Sequence, residues 1–163
     1  SDIKTEIGKG KLFLSGTPVG DSNPGTALCL RATTPDYEYQ IAVNNKNNSM
    51  KGLTLYGDDK NFVVWGTIDD RFILRSVKDG QETDIYETHA PTKKLYLKVS
   101  VEKGHLLHFY KSTNGKQWER ISNEPRDFGH LARWDRVARP GLMHIGNVDE
   151  PAEFSDFKLK NIK

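Results

Sequence analysis

The chain has 163 residues, which suits a single domain spanning 1–163, and its 24 basic and 22 acidic residues give a net charge of +2. This near balance provides no basic field for nucleic acid. No apolar run approaches the roughly 20 residues that a membrane helix needs. We therefore expect neither nucleic-acid binding nor membrane insertion. The single cysteine, Cys29, excludes an internal disulfide and a cysteine-based zinc site.

Short runs of alternating apolar and polar residues follow one another from the N-terminus and predict strands rather than helices. The first such run is 11–16 (KLFLSG), and a loop rich in Gly, Pro, Asn and Ser follows at 16–25. The next two predicted strands lie at 26–33 (TALCLRAT) and 37–43 (YEYQIAV).

The stretch GLTLYGDDKNFVVWG, residues 52–66, predicts a β-hairpin. The polar residues between its two apolar runs are good turn formers, so we interpret Asp58 and Asp59 as solvated turn residues. The stretch lacks the spaced oxygen ligands and closing glutamate of an EF-type calcium loop. Tyr56 and Trp65 are then of most interest. They form an aromatic platform if they face solvent, and they join the core if they face inward.

The remainder of the chain continues the same pattern. Turn signals at Asp79-Gly80, Lys103-Gly104 and Asn114-Gly115 separate further runs, and only 122–134 reads as irregular. Eleven to thirteen short strands are therefore expected. This count predicts an all-β fold, an antiparallel two-sheet sandwich or barrel. The core is expected to comprise Leu12, Leu14, Leu28, Leu30, Ile41, Leu53, Leu55, Phe62, Val64, Phe72, Leu74, Leu97, Val99, Phe154 and Phe157.

Several segments resemble the concanavalin A-like jelly-roll domains attached to glycoside hydrolases, including the C-terminal domain of family 43 β-xylosidases and arabinofuranosidases. Residues 51–66 are similar to the family's Gly-Leu, Tyr and Asn-aromatic hairpin. Residues 94–121 are similar to its strand pair that ends in a turn before a tryptophan, with Lys98 where arginine is frequent. Residues 139–161 are similar to its closing strands. The resemblance covers residues 10–161.

The resemblance implies a concanavalin A-like jelly roll that serves as a non-catalytic carbohydrate-binding or accessory domain of a secreted bacterial glycoside hydrolase. It implies a polysaccharide or oligosaccharide as ligand, a catalytic domain in the same polypeptide, and a secreted, periplasmic or cell-surface location. Two alternatives stay open. One is a structural domain that packs on a catalytic partner without binding glycan, and the other is a small glycan-cleaving enzyme of lectin-like fold.

A glycan site needs flat aromatic side chains for the C–H faces of sugar rings, beside planar polar groups for the hydroxyls. His108 and Tyr110 qualify because they share one face of a strand, and Trp134 because it lies in an irregular polar segment. Trp118 follows a turn and is expected to be a core residue. The predicted carbohydrate-binding residues are Tyr56, Trp65, Trp134, Arg75, His108 and Tyr110.

A glycan-cleaving enzyme would need a pair of catalytic acids. Lectin-like glycanases can carry closely spaced catalytic acids on one strand, in the pattern Glu-x-Asp-x-x-Glu. We expect no such pair here, because Asp84 and Glu87 are three residues apart and should point to opposite faces of a strand.

No cofactor is required by this interpretation. A structural calcium remains a hypothesis, because jelly-roll modules often hold one between acids from both chain ends. Asp156 on the last predicted strand and Glu6 near the start would supply the oxygen ligands.

Overall fold

The computed structural model describes residues 3–8, 10–16, 25–132 and 137–162, with the backbone alone for the first of these ranges. Within them the chain forms fourteen strands. Their bounds are β1 Ile3–Gly8, β2 Lys11–Gly16, β3 Thr26–Cys29, β4 Tyr37–Asn44, β5 Met50–Asp58, β6 Asn61–Ile68, β7 Arg71–Lys78, β8 Gln81–His89, β9 Lys94–Glu102, β10 Leu106–Ser112, β11 Glu119–Arg120, β12 Arg126–Asp127, β13 Arg139–Ile145 and β14 Ala152–Asn161.

The strands pair antiparallel in two sheets. The eight-stranded sheet has the order β1-β2-β14-β4-β9-β10-β11, with β12 also on β10, and the six-stranded sheet has the order β3-β13-β5-β6-β7-β8. The predicted all-β antiparallel sandwich is confirmed. Among the described residues the only helical segment is the 3-10 turn Gly129–Leu131, and no helix there is long and apolar enough to cross a membrane.

The core lies between the two sheets and draws on alternate residues of the longer strands, most of all β4, β5, β6, β7, β9 and β10, as period-2 patterning requires. Most of the predicted core residues are buried in it. Leu28 and Leu30 are exceptions, exposed by 39% and 48%. Leu28 belongs to β3, an edge strand of the six-stranded sheet, so it has a neighbouring strand on one side only.

One extra residue in the β5–β6 hairpin decides where Trp65 points. The register skips Gly57, so that Leu53 lies opposite Trp65 and both face the core. Without this bulge Trp65 would pair with Thr54 on the outer face, because a one-residue slip exchanges the two sides of a strand. Trp65 is fully buried, and its indole N–H donates to the carbonyl oxygen of Tyr110 at 2.8 Å. The prediction that Trp65 stacks on sugar is therefore wrong.

The turn of this hairpin is as expected. The side-chain oxygen of Asp58 accepts hydrogen bonds from the backbone N–H of Lys60 and from the amide of Asn61, each at 2.9 Å. Such side-chain bonds to nearby groups are the reason aspartate favours turns. Asp59 is exposed. The interpretation of Asp58 as a turn residue is confirmed.

A second apolar cluster covers the outer face of the six-stranded sheet. Phe62 and Val64 belong to it, and not to the main core as predicted, because the same bulge turns them outward. Tyr56 stacks on Phe62 with ring centroids 5.8 Å apart. The guanidinium of Arg75 reaches across β6 to within 3.8 Å of the sulfur of Met50. The remaining members of the cluster are Ile73, Val77 and Met143.

Two glycines leave part of this outer face without side chains, where the neighbouring strands β5 and β6 pair. Gly52 lies directly opposite Gly66. A Cβ on Gly66 would lie 2.1 Å from the carbonyl oxygen of Lys51, and one on Gly52 would lie 2.2 Å from that of Trp65. Both contacts are with backbone, which cannot rotate away. The two strands therefore need glycine at both positions.

Replacing Gly66 with alanine should lower the free energy of unfolding by about 2–4 kcal/mol, since the added methyl group displaces the paired backbone. Gly129→Ala is the control, because its Cβ would meet only the exposed Asp127 carboxylate, at 3.1 Å, and the His105 side chain, at 3.9 Å. Urea denaturation measures both variants. Equal losses in the two would contradict the close approach of β5 and β6.

Candidate functional site

The predicted binding residues do not form one site. Tyr56 and Arg75 lie on the outer face of the six-stranded sheet, where alternate residues of β5 and β7 point outward. His108 and Tyr110 lie on the outer face of the eight-stranded sheet, on the opposite side of the molecule. Trp134 lies outside the described residues.

Half-buried aromatic side chains collect on the outer face of the eight-stranded sheet. Tyr96 and Lys98 point outward from β9, next to His108 and Tyr110 of β10. Lys98 lies opposite Tyr110 on one side and opposite Gln40 of β4 on the other. Neighbouring strands lie about 4.8 Å apart, so these side chains share one continuous surface.

Lys98 lies at the centre of this surface, over two rings. Its ammonium nitrogen is 4.9 Å from the ring centroid of Tyr110 and 4.3 Å from that of Trp118. Both distances are within the range of a cation–π interaction. Trp118 is half-buried on this outer face, so the expectation that it belongs to the core is wrong. We call the surface formed by Gln40, Tyr96, Lys98, His108, Tyr110 and Trp118 the aromatic face.

The turn between β10 and β11 brings Trp118 onto the aromatic face. The Oδ1 atom of Asn114 accepts hydrogen bonds from the backbone N–H groups of Lys116 and Gln117, at 2.8 and 3.0 Å. Gly115 adopts φ +77°, and a Cβ there would lie 2.9 Å from the ring of Tyr96. Only glycine combines this conformation with such close packing. The Asn-Gly signal in the sequence marks this turn.

His108 adds no charge to the aromatic face at neutral pH. Its ring centroid is 6.4 Å from that of Tyr110. Burial of the imidazole, and next the positive charge of Arg120, lower the pKa of His108 from its ordinary value of 6.5. The Nδ1 atom is buried without a hydrogen-bond partner in the part of the chain that the structure describes. The neutral ring is therefore a polar edge of the aromatic face.

Three acids of β8 share the outer face of the six-stranded sheet, contrary to expectation. A bulge at Ile85 shifts the register between β7 and β8, so that Asp84 and Glu87 point to the same side. Glu82 points there as well, opposite Val77. These acids have the spacing Glu-x-Asp-x-x-Glu. The expectation that this pattern is absent is wrong, because residues 82–87 (ETDIYE) have the spacing in the sequence itself. The expectation that Asp84 and Glu87 point to opposite faces is wrong because it assumed a regular strand.

Arginines of β7 neutralise these acids. The Nε atom of Arg75 donates to the Asp84 carboxylate at 2.7 Å, and its Nη2 atom donates to the second oxygen at 3.3 Å. This hydrogen bond is the main cause that raises the pKa of Arg75. Arg71 pairs with Glu87 at 3.0 Å. Asp84 and Glu87 are therefore both engaged in ion pairs with arginine.

A buried lysine lies at one end of the sandwich. The ammonium of Lys51 donates to the carbonyl oxygens of Asn47 and Ser49, at 2.9 and 2.8 Å. The residue is fully buried, and this burial lowers the pKa of Lys51 to about 8. A polar cavity of about 270 Å³ opens beside this segment, lined by Asn45, Lys46, Asn47, Asn48, Asp69, Asp70 and Thr92. It has no aromatic lining for a sugar ring.

An apolar cavity of about 350 Å³ opens between the sheets beside β3. Leu28 and Leu30 line it from one side, and Leu12, Phe154 and Phe157 from the other. Few of its atoms are polar, so it would leave sugar hydroxyls without hydrogen-bond partners. This cavity suits an apolar side chain better than a glycan.

Asp156, predicted as a calcium ligand, has a different contact. Its carboxylate pairs with the ammonium of Lys94 at 3.1 Å. Glu6 lies in β1, where only the backbone is described. No group of three or more His, Cys, Asp or Glu side chains suited to a metal occurs among the described residues. The calcium site stays a prediction.

The chain matches, over residues 3–133, the family model described as Beta xylosidase C-terminal Concanavalin A-like domain. The match covers most of the sequence, so the chain belongs to this family, and the resemblance drawn from its residues is confirmed. A search of curated protein sequences found no match.

Solved structures share the fold. The GH43 BlXynB protein from Bacillus licheniformis is 18% identical, with a TM-score of 0.77 over 93% of this chain and 33% of that one. Xylan beta-1,4-xylosidase from Bacillus halodurans C-125 is also 18% identical, with a TM-score of 0.76 over the same shares. The chain thus spans about a third of these two proteins. The carbohydrate-binding module CBM66 from Bacillus subtilis is 15% identical, with a TM-score of 0.63 over 98% of this chain and 92% of that one.

The stability of the domain should rise with pH above 8 because of Lys51. Its pKa of about 8 in the folded state lies below the unfolded value of 10.5, so the unfolded state binds more protons between these values. The gain should be about 1 kcal/mol between pH 8 and 9, relative to Lys51→Met. Urea denaturation of both proteins across this range gives the difference. Raised pKa values of Tyr37, Tyr39 and Cys29 are common to both proteins and cancel. Parallel pH profiles would contradict the lowered pKa of Lys51.

Proposed function

We propose that this chain is a non-catalytic accessory domain of a secreted glycoside hydrolase and that it binds polysaccharide through the aromatic face. The observation that carries the proposal is the position of Lys98 between the half-exposed rings of Tyr110 and Trp118. Flat rings beside polar side chains are what stacking on a sugar and pairing with its hydroxyls require.

The shape of the aromatic face favours an extended glycan over a single sugar. One row of neighbouring residues crosses five strands of this sheet. It consists of Arg120 of β11, Tyr110 of β10, Lys98 of β9, Gln40 of β4 and Lys158 of β14. At about 4.8 Å per strand this row is roughly 19 Å long. It lies on the surface of a sheet, where the middle of a long polymer can bind without threading into a pocket.

The matches to known proteins support an accessory domain of a glycoside hydrolase as the class of this protein. The family is defined by C-terminal domains of beta xylosidases, and one structural neighbour is a carbohydrate-binding module of nearly the same length. A catalytic domain in the same polypeptide and a secreted, periplasmic or cell-surface location form part of the proposal. A role for Tyr56, Arg75 and Trp134 in binding stays a prediction.

A second function, packing on a catalytic domain without binding glycan, is favoured by the apolar cavity beside β3. Leu28 and Leu30 are large apolar side chains with 39% and 48% of their surface exposed. A contiguous apolar patch of this kind is typical of protein contact surfaces. The solved glycoside hydrolases are about three times the length of this chain and leave room for such a partner.

Trp118→Ala should weaken polysaccharide binding roughly two- to twelvefold, because one stacked ring contributes about 0.5–1.5 kcal/mol. Tyr110→Ala should act in the same direction. Affinity gel electrophoresis with a panel of plant and bacterial polysaccharides identifies a bound polymer, and calorimetry then gives its dissociation constant. Tyr56→Ala is the matched control, since Tyr56 is a half-buried tyrosine on the opposite sheet.

The outcomes separate the candidate functions. Loss of binding in Tyr56→Ala and not in Trp118→Ala would move the site to the six-stranded sheet. Absence of binding to every polymer would overturn glycan binding and favour the packing function. Release of reducing sugar by the wild type that is abolished in Glu82→Gln or Glu87→Gln would instead make the β8 acids catalytic.

A further inference from the structure

We infer that the aromatic face binds a carboxylate-bearing polysaccharide, one that contains uronic acid, and that Lys98 binds the carboxylate. This inference rests on the proposed function and specifies its ligand class. It concerns the row Arg120, Tyr110, Lys98, Gln40 and Lys158, which no comparison assigns to a ligand.

The row is positively charged although the whole chain is nearly neutral. It contains three cations, Arg120, Lys98 and Lys158, and no acid. The nearest acid in the adjacent row is Glu38, which already pairs with Lys160 at 3.0 Å. The net charge of +2 on the chain is therefore distributed unevenly, with a positive excess on this one surface.

Among the residues that the structure describes, the three cations have no carboxylate counter-ion. Within the described residues, no carboxylate lies within 4.0 Å of any of them, and none has an ion pair. Some surface cations have carboxylate partners, such as Lys94 with Asp156 and Arg71 with Glu87. A cation without a partner on a partly apolar surface is a ready site for an anionic ligand.

Lys98 is the best placed of the three. It is half-buried, and this burial lowers its pKa, with Lys160 adding to the effect and Glu38 opposing it. An incoming carboxylate would stabilise its charged form. A sugar ring stacked on the exposed part of Trp118 or Tyr110 lies beside the ammonium, which is 4.3 and 4.9 Å from the two ring centroids. The carboxylate of a uronic acid is attached directly to its ring, so it can reach Lys98 from that position.

The test compares each acidic polymer with its own neutral form. Calorimetry and affinity gels use glucuronoxylan, polygalacturonate and alginate, each also after chemical reduction of its carboxyl groups. At least one acidic polymer should bind tenfold or more tightly than its reduced form. Its affinity should fall as salt rises from 50 to 500 mM, since the charge interaction is screened.

Three variants assign the effect to Lys98. Lys98→Met should lose about tenfold more affinity for the acidic polymer than for the reduced one, whereas Lys98→Arg should retain the preference for the acidic polymer. Lys78→Met is the control, because it removes one exposed positive charge from the six-stranded sheet and leaves the aromatic face intact. Thermal unfolding of each variant confirms that it is folded.

Failure of this inference can be distinguished from failure of the proposed function. If a polymer and its reduced form bind equally and Trp118→Ala abolishes both, the proposed function stands and the inference is overturned. If Lys78→Met weakens binding as much as Lys98→Met, general charge and not the aromatic face attracts the ligand, and the inference is also overturned. If no acidic or neutral polymer binds, both the inference and the proposed function fail.

Discussion

The bulge at Gly57 determines which residues of the β5–β6 hairpin face the core, and much of the structure depends on it. It turns Trp65 inward, where the indole N–H donates to the carbonyl oxygen of Tyr110 in the opposite sheet at 2.8 Å. The hydroxyl of Tyr39 donates to the carbonyl oxygen of Thr54 in the same way, also at 2.8 Å. These buried bonds satisfy polar groups inside an apolar core and hold the two sheets in one alignment.

The same alignment gives the two outer faces different chemistry. On the six-stranded sheet, Phe62 and Val64 are turned outward and are covered, together with their cluster, by Tyr56 and the side chain of Arg75. The arginines there are paired with acids, so this face is electrostatically satisfied. On the eight-stranded sheet the rings around Lys98 stay partly exposed, and within the described part of the chain Arg120, Lys98 and Lys158 form no ion pair with a carboxylate. This contrast is why we place the ligand on the aromatic face.

The sequence predicts the fold well because alternation and turn chemistry are local. Leu97 and Val99 alternate with outward Tyr96 and Lys98 as expected, and Asp58 forms the turn. The orientation of a strand after a bulge is not local, since one extra residue exchanges its two faces. For this reason the sequence leaves open which way Trp65 points.

The facing of the β8 acids and the position of Trp118 also depend on features that are not local in the sequence. The bulge at Ile85 brings Asp84 and Glu87 to one side, although their spacing in a regular strand puts them on opposite sides. The lysine that covers Trp118 comes from another strand, and no local pattern indicates that contact. The candidate site could therefore be predicted only in part, through the shared face of His108 and Tyr110.

The central claim is that the ligand lies on the outer face of the eight-stranded sheet. The most direct measurement is an NMR titration of the isotopically labelled chain with oligosaccharides cut from the polymer that it binds. We predict that the largest chemical-shift changes occur at Gln40, Lys98 and Tyr110 and at the indole N–H of Trp118, while β5 and β7 are unaffected. Changes confined to Tyr56, Arg75 and their neighbours on the six-stranded sheet would contradict the account.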